Sequence, residues 1–185
     1  MNTSSSTRAI NPKVKMPIAV TKTHSSKKNT RQYHIIIGLF LYALLLAAWT
    51  IEWQWPALVE LQQDNIYKQI TGFLLMIFIL MQWKLYLARR TINPARAIHA
   101  LKIHQWQGAM TPVFFYVHSS SLGYGFQMVL SLALLITTLS GLLSPSTTKI
   151  RNRGYLFSWL VLHVSGACIA LILLFYHLFI SYTYS

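Results

Sequence analysis

Histidines recur at one spacing inside two apolar stretches: His104 and His118 are fourteen residues apart, and so are His163 and His177. Fourteen helical residues turn through about 1400°, which leaves two side chains about 40° apart on one face and separated by about 21 Å along the axis. That rise is most of a hydrocarbon thickness of about 30 Å. Apolar surroundings tolerate an imidazole poorly unless it has a partner or a task. A chain with two such helices is therefore expected to set them face to face, with one histidine pair near each end.

Composition agrees with a membrane setting. Of the 185 residues 54% are hydrophobic and only 10% are charged, and the mean hydropathy is +0.43. This is too apolar for a soluble domain of this size. Five segments read as membrane helices, at about 34–53, 70–87, 102–119, 124–143 and 155–180. The third is the weakest, because it holds two histidines, two glutamines, Gly108 and Pro112. A polar, proline-bearing helix is tolerated when neighbours shield it and it lines a site. Pro112 is expected to kink it. The expected fold is an all-α integral membrane bundle of five transmembrane helices. Residues 1–32 form a basic disordered tail, 33–181 the membrane domain, and 182–185 a short outer tail.

The net charge of +13 does not point to nucleic acid, because the basic residues flank apolar segments. Seven lie in the N-terminal tail. Lys84, Arg89, Arg90, Arg96 and Lys102 flank the second connection, and Lys149, Arg151 and Arg153 follow the fourth helix. The three acids, Glu52, Glu60 and Asp64, share the first connection with Lys68. The positive-inside rule places the N terminus in the cytoplasm. Helices three and five then run the same way, which sets His104 level with His163 and His118 level with His177. Charge and histidine patterns are independent, yet they agree. No cleavable signal peptide is expected, since the first apolar run begins near Ile35 after a long polar stretch.

Paired imidazoles at matched depth suit haem. Cys168 is the single cysteine, so covalent attachment through two cysteines is impossible and the expectation is two haem b groups, each with two histidine ligands. His104 and His163 would hold the inner group, His118 and His177 the outer. The second ring nitrogen of each ligand needs an acceptor; Thr137, Thr138 and Ser165 are available. Gly108 and Gly166 either let the backbone approach the inner macrocycle or let helices pack closely. Arg96, Lys102 and Arg153 are candidate cations for the inner propionates. The serines of HSSSLGYG, Ser120 among them, with Tyr124 and Gln127, are the corresponding outer donors. His34 is expected at the interface, and His99 at the inner surface. Trp49, Trp53 and Trp55 read as belt anchors.

In this pattern the chain resembles the di-haem membrane domain of the ferric reductase and NADPH oxidase superfamily, over roughly residues 70–180. The segment HQWQG is similar to helix starts in many bacterial b-type cytochromes. The resemblance implies transmembrane electron transfer. The expectation departs from complete enzymes of that group, since no flavin or nucleotide-binding domain is expected in this sequence, which holds no Gly-rich nucleotide loop. The expectation is an electron-transfer subunit in a bacterial inner membrane, contacting lipid and another redox subunit. A quinone or a periplasmic cytochrome is a further candidate partner. Two other readings stand beside it: a quinol- or quinone-reactive anchor subunit, and a structural haem-bearing subunit of a larger respiratory or photosynthetic complex.

Overall fold

A computed structural model describes residues 33–91, 93–150 and 152–183. The expected basic tail and Arg151 lie outside them. The described residues are helical, with no strand among them: α1 (Tyr33–Thr50), α2 (Pro56–Leu61), α3 (Asn65–Gln82), α4 (Lys84–Arg89), α5 (Pro94–His118), α6 (Phe126–Leu142), α7 (Pro145–Thr148) and α8 (Arg153–Thr183).

Local chemistry explains the helix starts. The Asp64 carboxylate accepts from the Tyr67 amide at 2.8 Å and caps α3, where an acid also suits the helix dipole. Asn93 caps α5 by accepting from the amides of Ala95 and Arg96, and Pro94 takes the first helical position. Between α5 and α6 the chain reverses through Gly123 and Gly125, at φ of 76° and 57°, values that favour glycine.

Four segments are long and apolar enough to cross a membrane: Tyr33–Thr50, Asn65–Arg89 (α3 with α4), Phe126–Thr148 and Arg153–Thr183. Most of their large side chains face outward, including Phe40, Leu74, Phe157 and Ile172. Exposed hydrocarbon on this scale is the surface of a membrane protein. Helix α8 runs through Thr183, beyond the boundary expected at 181.

Helix α5 differs from these four. It has 25 residues and is less apolar, and it packs against α1, α3, α4 and α6. It stays continuous through Pro112, which is buried. Proline lacks an amide hydrogen and crowds the carbonyl four residues earlier; that residue is Gly108, whose open side meets nothing within 4 Å. His34, expected at the interface, is instead 4% exposed beside the Trp106 ring, because α1 lies along α5.

The apolar core lies among α1, α5 and α6 and contains Tyr42, Leu45, Ala109, Phe115, Leu134, Leu135 and Leu142. The Tyr42 hydroxyl donates to the Leu135 carbonyl at 3.0 Å and also meets the Thr138 hydroxyl. Gly38 admits the α1 backbone to this core: a Cβ there would lie 2.7 Å from Leu142 Cδ1 and 3.1 Å from Ala109 Cβ. Gly38→Ile is expected to lower stability by about 1–3 kcal/mol through overpacking, read as an earlier thermal unfolding transition in detergent.

Candidate functional site

Helices α5 and α8 carry the four histidines, yet among the described residues no extended backbone packing joins the two helices. Helix α8 lies along α6, and α6 lies along α5. The histidines reach across the space that remains.

At one end of the bundle the rings of His104 and His163 are 6.2 Å apart between centres, with planes crossed at 78°. At this separation both rings could reach one metal ion, each through a nitrogen at about 2.0–2.1 Å. Backbone carbonyls take the second nitrogen of each ring. His104 Nδ1 donates to Gln82 O at 3.3 Å. That carbonyl is released where α3 gives way to α4, because the Tyr86 amide donates to Trp83 O at 3.0 Å. His163 Nδ1 lies 2.9 Å from Thr137 O and 3.0 Å from Ser140 Oγ. The Ser140 hydroxyl spends its own hydrogen on Thr137 O, at 2.7 Å, so its oxygen accepts from the ring. Both rings thereby carry hydrogen on Nδ1 and keep Nε2 for another partner.

At the other end His118 and His177 line one cavity of about 550 Å³, between α3, α5, α6 and α8. This is within the ordinary range for a small-molecule site. The Thr71 hydroxyl donates to Tyr67 O at 2.8 Å and accepts from His118 Nδ1 at 3.1 Å, which again leaves Nε2 of His118 uncommitted. His177 Nδ1 is buried and has no hydrogen-bond partner among the described residues.

The end of α5 that carries His118 is fastened from two directions. Gln62 Nε2 donates to Tyr116 O at 2.7 Å and to Val117 O at 3.2 Å, and Tyr67 OH donates to Val117 O at 3.0 Å. Gln62 Oε1 accepts from the Ser120 amide, and Trp49 Nε1 donates to Ser120 O at 2.8 Å. These bonds satisfy carbonyls that a helix C terminus leaves open. They also give Trp49 a specific bond beyond the belt role expected of it, whereas Trp53 and Trp55 are exposed.

The remaining expected residues fall in different places. Ser120 and Gln127 line the cavity, while Tyr124 is 92% exposed and lies outside its lining. Arg96, His99, Lys102 and Arg153 are all exposed. Gly166 lies against the Thr137 side chain, a close packing of α8 on α6, whereas Gly108 faces open space. Of the acceptors expected for the rings, Thr137 serves through its carbonyl. The hydroxyls of Thr138 and Ser165 turn instead to Leu134 O and Val161 O in their own helices.

Several residues at the site are not marked as site residues by the sequence pattern. Gly72 and Gly141 make room for rings: a Cβ would lie 3.0 Å from His118 Cε1 at the first and 3.2 Å from His163 Cε1 at the second. Lys68, the cation set apart from all the others by the charge pattern, lines the cavity of His118 and His177. Gln82, Thr71, Ser140 and Gln62 act through contacts between helices.

No family model, curated protein or solved structure matches the chain. Among the described residues no group of three or more His, Cys, Asp or Glu side chains is arranged to hold a metal ion.

The ring tautomers are directly testable. In protein labelled with ¹⁵N-histidine and free of added cofactor, His104, His118 and His163 are expected to show hydrogen on Nδ1. Thr71→Val should redistribute the tautomers of His118 alone and cost about 1 kcal/mol of stability.

Proposed function

We propose that this chain is a di-haem b-type cytochrome subunit that carries electrons between the two faces of a membrane. The observation that carries the reading is the arrangement of two histidine pairs at opposite ends of one bundle. Three of the four rings have Nδ1 engaged and Nε2 uncommitted. With two protein ligands at each level, a metal would draw its other ligands from a macrocycle. A bound haem would supply a one-electron iron couple, with a histidine pair holding it at each level.

His104 and His163 are the ligands at one level, and His118 and His177 at the other. Gln82, Thr137, Ser140 and Thr71 hold three of these rings in one tautomer and raise their basicity as donors. Helices α5 and α8 both pack on α6, and the cavity between them at the His118 and His177 end is the space a planar group would take. Gly108 contributes open surface to the face of α5. The cavity of His118 and His177, of about 550 Å³, brings Lys68, Ser120 and Gln127 to its lining, where carboxylate substituents would find a cation and hydrogen-bond donors.

On this reading α5 is a fifth membrane span, shielded from lipid by its neighbours. The basic residues near α4, the start of α5 and the start of α8 set the His104 and His163 end toward the cytoplasm, with the N terminus on the same side. The acids between α1 and α3 face outward. The chain then sits in a bacterial inner membrane, and a separate redox partner supplies or accepts the electrons. The likeness to the ferric reductase and NADPH oxidase membrane domain rests on the histidine pattern.

Purified protein is expected to contain two low-spin haem b groups per chain, measured by reduced-minus-oxidised spectra and extracted haem. His118→Ala and His104→Ala should each leave one. Gly72→Val, which drives a branched side chain into the His118 ring, should behave as His118→Ala does. Intact wild-type protein with no haem would overturn the reading.

A further inference from the structure

We propose that Trp159, acting with Ser140, is a positioning residue that fixes the plane of the His163 ring across that of His104, so that the two ends of the protein hold their cofactors in different ligand-plane geometries. The inference rests on the di-haem reading and deepens it.

An imidazole bound through Nε2 is free to spin about its bond to the metal, so the contacts of the ring decide its plane. His163 has a closed set of them. Trp159 lies one turn earlier on α8 and stacks on the ring, 5.4 Å between centres and 12° from parallel. Its own ring is fixed, since Trp159 Nε1 donates to Ser140 O at 2.8 Å. The Ser140 hydroxyl accepts from His163 Nδ1 at 3.0 Å, and Thr137 O lies 2.9 Å from the same nitrogen. Gly141 removes the Cβ that would crowd the ring from α6. Rotating His163 breaks the stack and both hydrogen bonds together. His104, held by Gln82 O, then faces it at 78°.

The opposite end has no equivalent clamp among the described residues. His118 has Thr71, but His177 Nδ1 is unpartnered, and its aromatic neighbour Phe126 is tilted by 49° at 6.1 Å. Crossed imidazole planes act equally on two iron d orbitals and leave them nearly degenerate. That condition produces a strongly anisotropic low-spin resonance at large g. Planes nearer to parallel separate the orbitals and give an ordinary rhombic spectrum.

The test is low-temperature electron paramagnetic resonance of the oxidised, purified protein, with haem counted in every sample. Wild type is expected to show one strongly anisotropic signal, which disappears in His104→Ala. Trp159→Leu should move that signal toward the rhombic form with both haems retained and the second signal unmoved, while Trp159→Phe, which preserves stacking, should largely restore it. If Trp159→Leu loses a haem, Ser140→Ala decides: a smaller shift in the same direction supports the role, and no shift overturns it. Two haems with a signal indifferent to Trp159→Leu, or a large-g signal that survives His104→Ala, overturns the proposal while leaving the di-haem reading intact. Wild type with no haem overturns both.

Discussion

An imidazole inside an apolar bundle has two nitrogens to satisfy, and the neighbourhood of the two histidine pairs is organised around that demand. Burying a polar group without a hydrogen bond is costly. Three of the four rings meet the demand on Nδ1 through a neighbouring helix: His104 through α3, His118 through α3, and His163 through α6. Each bond crosses between helices, so it fixes a ring and docks a helix at once. What remains on these three rings is Nε2, which has no hydrogen-bond partner among the described residues.

The helix ends and interruptions serve the same demand. Carbonyls inside a regular helix are already engaged. The break between α3 and α4 releases Gln82 O for His104, and the hydroxyls of Thr71 and Ser140 act as relays between an intrahelical carbonyl and a ring. Gln62 and Tyr67 close the exposed carbonyls at the end of α5, which steadies His118. Gly72 and Gly141 supply space beside the rings, and Gly38 and Gly166 supply close packing. Glycines of similar appearance in the sequence thus perform two different tasks.

The two ends are not equivalent. The His104 and His163 end is tightly clamped, by two carbonyls, a serine and a stacked tryptophan. The His118 and His177 end is an open cavity with polar residues in its lining and one ring unpartnered on Nδ1. The two ends thus differ in how their histidine rings are held.

Much of the architecture is readable in the sequence, because helical periodicity and hydropathy are local properties. The fourteen-residue spacing sets the two histidines of each helix on one face, the apolar runs mark the long helices, and the rings of His104 and His163 meet at one end of the bundle. The α5 segment is less apolar than the other long helices, and its His104 and His118 find their hydrogen-bond partners on a neighbouring helix. What tertiary structure alone decided are the partners: Gln82 O rather than a hydroxyl for His104, Ser140 and Thr137 O for His163, Thr71 for His118, Trp159 against His163, and Lys68 at the cavity. None of these follows from spacing. A hydrogen bond between helices depends on their relative rotation and depth to within about an ångström, and that is set by the packing of the whole bundle.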